Sequence, residues 1–264
     1  MNNLRLIKLN FILTFKQETY LPGFIGNTIR GAIGQALYDN YPDTFNCVFK
    51  ITAAETIPNP IVISVPYPTK HLHLPDELLT FSIVLMGKAC VFKQSIIDAA
   101  TLMCHGKLKN TALIACHQEY DSTWEDTHVN QIPPCNNLKV TFLTPTEILA
   151  SKKFKDELNF NTFVDRIFLR ISKIIDNYSD NEFIIPYNLV LSKPHIITTS
   201  NLTVTKFQTS NQPITGFLGK IEFSGDVTRF LPYVDLASQI HIGKKTTRGC
   251  GQFKFEVSNF SEDE

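Results

Sequence analysis

Residues 4–15, LRLIKLNFILTF, alternate apolar and polar side chains, and residues 24–41, FIGNTIRGAIGQALYDNY, place Ile25, Ile29, Ile33 and Leu37 four apart. The first spacing is that of a strand and the second that of one helical face. The turn Leu21-Pro22-Gly23 separates them, and the small residues Gly31, Ala32, Gly34 and Ala36 permit close packing of the helix. Farther along, residues 61–65 are β-branched and short, and residues 78–86 form a second apolar run ending at Gly87. Residues 92–103 return to helical spacing through Phe92, Ile96, Ala99, Ala100 and Met103, and stop at His105-Gly106, a C-cap. Residues 111–117 read as a strand, so the order is βαββαβ.

The polar stretch 122–137, STWEDTHVNQIPPCNN, with its proline pair, marks a boundary. Beyond it the order repeats. Residues 138–143 alternate, and residues 161–178 form an amphipathic helix with Phe163, Ile167, Ile171, Ile174 and Ile175 on one side and Arg166, Arg170 and Lys173 elsewhere. Residues 202–207 and 217–223 are strands joined by the polar QTSNQPITG, residues 228–240 are a helix with Pro232 near its start, and residues 252–257 close with a strand. The βαββαβ order is the ferredoxin-like motif. The expected fold class is therefore α+β, with tandem ferredoxin-like domains over residues 1–122 and 137–264 and a linker at 123–136. Each domain would be an antiparallel sheet with two helices on one face.

The 264-residue chain is 43% hydrophobic and 19% charged, ordinary for a folded globular protein. No stretch approaches the roughly 20 apolar residues of a membrane helix. The N-terminus reads as a first strand and not as a signal peptide, so the expected location is cytoplasmic. Lys plus Arg and Asp plus Glu both number 25, a neutral total that hides an uneven distribution. Four acids, Glu256, Glu262, Asp263 and Glu264, fall in the last nine residues, leaving residues 1–255 at +4. No acid occurs over 183–221, which holds Lys193, Lys206 and Lys220, or over 236–255, where Lys244, Lys245, Arg248 and Lys254 cluster. A local basic groove is compatible with zero net charge, as are ordinary solvated faces.

Six scattered cysteines without a CxxC pair argue against a disulfide framework. Cys104-His105 and Cys116-His117 are adjacent pairs, and neighbours on a strand point to opposite faces, so four ligands cannot converge on one zinc. His71 and His73 can share a strand face but lack a third ligand, and read as surface or loop histidines. No metal site is expected.

The stretch His241-Ile242-Gly243-Lys244-Lys245-Thr246-Thr247-Arg248-Gly249-Cys250-Gly251 lies between the last helix and the last strand. Three glycines in nine residues let a backbone approach a ligand closely, and backbone N–H groups beside Lys244, Lys245 and Arg248 suit phosphate. It is neither a Walker A loop nor a dinucleotide fingerprint, since GxxxxGK[ST] is absent and a strand follows instead of a helix. A purely structural turn is the other reading.

The whole run 216–256, GFLGKIEFSGDVTRFLPYVDLASQIHIGKKTTRGCGQFKFE, resembles the C-terminal signature of the CRISPR repeat-processing endoribonucleases, the Cas-six group of the RAMP superfamily. In that signature a GxxG strand is followed by FxGD, a helix and HxGKxTxxGxG. Residues 21–37, LPGFIGNTIRGAIGQAL, resemble the same group's first helix, and FSIVLMG at 81–87 with the helix after it fits the middle. The resemblance covers most of the chain. It implies tandem ferredoxin-like domains and cleavage of the repeat in precursor CRISPR RNA without metal or other cofactor. In that reaction the neighbouring 2′-hydroxyl attacks and a 2′,3′-cyclic phosphate is left.

Such chemistry needs a group to take the 2′-hydroxyl proton, one to protonate the leaving oxygen, and positive charge on the phosphorane. Many relatives place a catalytic histidine in or just after the first helix, whereas this chain has none before His71. His241 matches the histidine of the C-terminal motif and is the expected general acid or base; it also reads as a helix-terminal histidine complementing the dipole. Lys244 is expected to stabilise charge. Tyr20 and Tyr38 flank the first helix and either orient the nucleophile, Tyr38 being the candidate, or pack. RNA is expected at Arg30, Gly243, Lys245, Thr246, Arg248, Gly249 and Gly251. Arg30 either reaches phosphate or pairs with an acid between the domains. The helix bearing Arg166, Arg170 and Lys173 and the acid-free segment 183–221 are further candidates for the RNA track.

Three functions from different classes follow: a metal-independent endoribonuclease maturing CRISPR RNA; a silent RNA-holding subunit of a CRISPR effector complex; and a tandem module for a small ligand or protein, its glycine-rich loop merely structural. The expected partner is CRISPR repeat RNA, with effector subunits beside it and no membrane, in a monomer or homodimer.

Overall fold

The computed structural model describes residues 2–49, 57–126, 133–150, 153–154, 157–184, 196–207 and 213–258. Alternation along the first strand sends its side chains to two different cores. β1 (Asn3–Phe15) is central in a four-stranded sheet with β2 (Ile61–Ser64), β3 (Leu78–Met86) and β4 (Thr111–Glu125), in the order β2-β3-β1-β4 and antiparallel throughout. Ile7, Leu9, Phe11, Leu13 and Phe15 face α1 (Gly26–Asn40) and α3 (Lys93–Leu102), where they pack with Ile29, Ile33, Leu37, Ile96 and Ala99. Leu4 and Leu6 point the other way and, with Val62, Val84 and Met86, join the core of the second domain.

That second domain repeats the arrangement. β5 (Asn137–Thr146) is central, between β7 (Ile214–Ser224) and β8 (Phe253–Ser258), with β6 (Ile197–Phe207) outside β7. Its helices are α4 (Phe160–Tyr178) and α5 (Leu231–Ile240). Asn159 caps α4 by accepting from the Thr162 amide at 2.9 Å. Phe160, Phe163, Ile167, Ile171 and Ile174 then bury one face against Phe142, Phe217 and Phe223. Across the domains, Trp124 Nε1 of β4 donates to the Pro232 carbonyl of α5 at 3.3 Å, and its ring packs edge-on against Tyr233. Both sheets have the strand order of a ferredoxin-like domain, as expected.

Three details differ from the sequence reading. β4 runs on to Glu125, pairing with Asn3, Leu4 and Arg5, because two register shifts on β1 keep the ladder intact through polar residues. It thus enters the expected linker. A short helix, α2 (Pro42–Val48), follows α1, started by a proline that fits a first turn. β6 begins five residues earlier than its apolar residues suggest, since the edge strand is held by pairing with β7. Residues 127–132 of the expected linker, Lys193, and the acids Glu262, Asp263 and Glu264 lie outside the described residues. Among the described residues no helix is long and apolar enough to cross a membrane.

Candidate functional site

The glycine-rich loop leaves α5 through an unusual backbone. His241 has φ 57° and ψ 167°, and Lys245, Gly249 and Gly251 also have positive φ. At Gly251 the requirement is double: its φ is 80°, and a Cβ would stand 1.9 Å from the Ile242 carbonyl oxygen. The loop folds back on itself and on the end of β5. The amides of Ile242, Lys244, Arg248, Gly249, Cys250 and Gly251 all donate to protein carbonyls. The glycines thus serve the turn, and most amides that could cradle a phosphate are already committed.

His241 lies inside the protein, 1% exposed. Its Nδ1 donates to the Cys250 carbonyl at 3.2 Å, which leaves Nε2 to accept from the Ser64 hydroxyl of β2 at 2.9 Å. Burial, with the nearby Arg170 charge, pushes its pKa down to about 3. The ring is neutral near pH 7 and ties the C-terminal loop to the first domain. The sequence reading of this residue as general acid or base, or as a charged histidine at a helix end, thus meets a ring that the fold buries and bonds on both nitrogens.

Arg170 is buried as well. Its guanidinium donates from Nε and Nη2 to the Ile240 carbonyl at 3.1 and 2.8 Å, and from Nη2 to Thr246 Oγ1 at 3.0 Å. A cation thereby caps the C-terminus of α5 and holds the loop. Burial lowers its pKa to about 10. Arg170 is therefore not on an RNA track, and Thr246, also buried, is spent on it.

The loop lysines meet an acid that the sequence reading passed over. Glu147, just beyond β5, takes Lys245 Nζ at 2.8 Å, and Lys245 also donates to the Pro213 carbonyl. Lys244 is largely exposed, with its Nζ 3.9 Å from the same carboxylate. Lys245 is anchored and Lys244 reaches solvent.

Arg248 and Arg30 behave otherwise. Gly26, at the start of α1, packs so closely on the loop that a Cβ would lie 1.8 Å from the Arg248 carbonyl oxygen. One turn on, Arg30 lies over the Phe49 ring, 4.9 Å from its centroid. Arg30 Nε and Arg248 Nη1 are both buried without a hydrogen-bond partner among the described residues. Burial, followed by the charge of Arg248, lowers the Arg30 pKa. Among the described residues no carboxylate is ion-paired with either, so two like charges sit at the domain junction without an acid partner there. The predicted pairing of Arg30 with an interdomain acid is not found among the described residues.

Tyr38 lies 12 residues beyond Gly26, roughly 18 Å along the helix axis. It is exposed and packs edge-on against Phe45, away from the loop. Lys206 and Lys220 are exposed on β6 and β7. Among the described residues no group of three or more His, Cys, Asp and Glu is placed to hold a metal ion.

Comparisons with known proteins agree with this fold. Residues 140–253 match the family model described as CRISPR-associated endoribonuclease Cas6, and residues 4–123 match a second model described as an N-terminal domain. No curated protein sequence matches the chain significantly. A solved Thermus thermophilus Cas6 product complex is 12% identical, with a TM-score of 0.67 over 95% of this chain and 99% of that one. A partial complex of a Cas6-RT-Cas1 protein with Cas2 gives 11% identity and a TM-score of 0.70; 97% of this chain is covered, and it spans 46% of that longer one. A RAMP protein that binds different RNA substrates gives 13% identity and a TM-score of 0.56 over 95% of this chain and 99% of that one. At such identities the likeness establishes the fold alone: tandem ferredoxin-like domains. The resemblance read from the sequence stands as a match of residues 140–253 to the Cas6 family model.

Proposed function

We propose that this Cas6-type chain is a metal-independent endoribonuclease that cuts CRISPR repeat RNA in precursor transcripts by 2′-hydroxyl attack, leaving a 2′,3′-cyclic phosphate. The observation that carries the reading is the pair Arg30 and Arg248, two partly buried guanidiniums without a carboxylate among the described residues, where α1 meets the glycine-rich loop. Like charges held together cost stability unless an anion compensates them, and a guanidinium fork suits a phosphodiester. Lys244 adds an exposed cation at the rim. The glycines at 243, 249 and 251 and Thr246 act indirectly, by fixing the loop that carries Arg248, and His241 and Lys245 lock that loop to Ser64 and Glu147. Fixed positive charge stabilises the phosphorane without reorganisation.

The burial of His241, together with the absence of a histidine in α1, favours a second reading, a silent RNA-holding subunit of an effector complex. One experiment separates the two. A labelled repeat from the CRISPR array nearest the gene is incubated in excess EDTA, and the product ends are mapped. A single cut leaving a 2′,3′-cyclic phosphate, abolished by a 2′-deoxy substitution at the cut, supports the nuclease. Tight binding without a cut moves the chain to the second reading, and no binding sinks both.

A further inference from the structure

The turn that feeds α1 carries an exposed imidazole held in one orientation. Residue His71 adjoins a two-residue ladder in which Thr19 pairs with His73 and Tyr20 with Leu72. The Leu21 amide donates to the His71 carbonyl at 2.8 Å, and His71 Nδ1 lies 3.1 Å from the Leu21 carbonyl oxygen. A carbonyl only accepts, so Nδ1 carries the hydrogen and the neutral ring presents a bare lone pair at Nε2. That nitrogen has no hydrogen-bond partner among the described residues, and the side chain is exposed. The ring rests on Gly23, where a Cβ would stand 3.4 Å from Cε1 and 3.5 Å from Nε2. Three residues on, Gly26 begins α1 against the Arg248 carbonyl.

The surroundings carry exposed charge of both signs. The same end of the first domain is tied together by Lys16 N to the Asn110 carbonyl, Asp76 N to the Phe15 carbonyl and Lys107 Nζ to the Gly31 carbonyl. It presents Lys16, Lys107 and Lys109 to solvent. The acids there are Glu77, paired with Lys70 and close to His73, and the exposed Glu18 and Asp76.

Other described histidines are placed differently. His73 is buried and stacked on Phe15, His117 is bonded to Asn10 on the outer face of the first sheet, and His241 is internal. His105 is exposed after α3, and no hydrogen bond fixes its ring among the described residues.

We infer that His71 is the proton acceptor of the cleavage reaction, resting on the ribonuclease reading above. Its Nε2 takes the proton of the 2′-hydroxyl as that oxygen bonds to phosphorus. The bond from phosphorus to the 5′-oxygen breaks, and the departing oxygen takes a proton from water. The hydroxide so formed removes the proton from the imidazolium, leaving a 2′,3′-cyclic phosphate and a 5′-hydroxyl. The Leu21 carbonyl, accepting from Nδ1, steadies the imidazolium while it lasts.

The test is single-turnover cleavage of the repeat RNA by wild type, His71→Ala, His71→Gln and His105→Ala, with RNA affinity measured on each and imidazole added to the alanine variant. The expected result is a rate loss of about 100-fold or more in both His71 variants, affinity within about threefold of wild type, and recovery with added imidazole in His71→Ala alone. Cleavage by His71→Ala within about threefold of wild type overturns the assignment. So does a loss that tracks RNA affinity or that imidazole cannot reverse, since either marks a positioning role. If wild type binds but cuts nothing, the ribonuclease reading itself has failed, and the assignment goes with it.

Discussion

His241 offers the sharpest test of how the loop is held. The ring is buried and neutral with a pKa of about 3, whereas an unfolded chain leaves it near 6.5. The folded value is depressed, so the unfolded state binds the extra proton first as pH falls. Stability from this group is therefore complete above about pH 6.5 and is lost progressively from there down to about pH 3. One proton over that interval costs about 1.4 kcal/mol per pH unit. Between pH 7 and pH 5 the loss comes to about 2 kcal/mol, a large share of a typical folding free energy. Urea unfolding followed by tryptophan fluorescence suits the measurement, because Trp124 packs across the two domains. Carboxylates elsewhere titrate too, so the quantity is the difference between wild type and His241→Gln, which cannot titrate there. Wild type should lose about 2 kcal/mol more than the variant on going from pH 7 to pH 5. Parallel losses would refute the argument, for they would mean the ring is solvated or already charged in the folded state.

Arg30→Gln and Arg248→Gln should each weaken RNA binding by about tenfold at low salt and lower the salt slope by nearly one, read by fluorescence anisotropy against ionic strength. The same variants should leave the melting temperature unchanged or raise it, since each removes one of two like charges that meet no acid among the described residues. Gly26→Ala, whose new methyl would overlap the Arg248 carbonyl, should cost about 1–3 kcal/mol in urea unfolding. Arg170→Ala should cost about 3 kcal/mol or more by the same assay, leaving the Ile240 carbonyl without its donor and a cavity beneath the loop. His241→Gln should keep the cut site and the pH profile of cleavage in the EDTA assay, a buried neutral ring being unable to set either.

Local periodicity was enough for the architecture. The alternation over residues 4–15 and the four-residue spacing of Ile25, Ile29, Ile33 and Leu37 are properties of a few adjacent residues, and they dictate a strand and a helix wherever the chain folds. Repeating that order after the proline pair gave two ferredoxin-like domains. The glycines of the loop were legible as well, because positive φ is a local demand at Gly249 and Gly251. Boundaries were not: β4 continues into polar residues because β1 lies beside it, and nothing between 118 and 125 announces that neighbour. The identity of the site residues needed tertiary structure for the same reason. Whether His241 meets substrate depends on Ser64, 177 positions away, and on a buried arginine from α4. Lys245 looks free in the sequence, yet Glu147 from the end of β5 neutralises it, while Arg30 and Arg248, 218 positions apart, meet no acid among the described residues. Charge pairing and burial are decided by which distant segments come together. Sequence spacing sets the elements, and only their packing sets which side chains remain for chemistry.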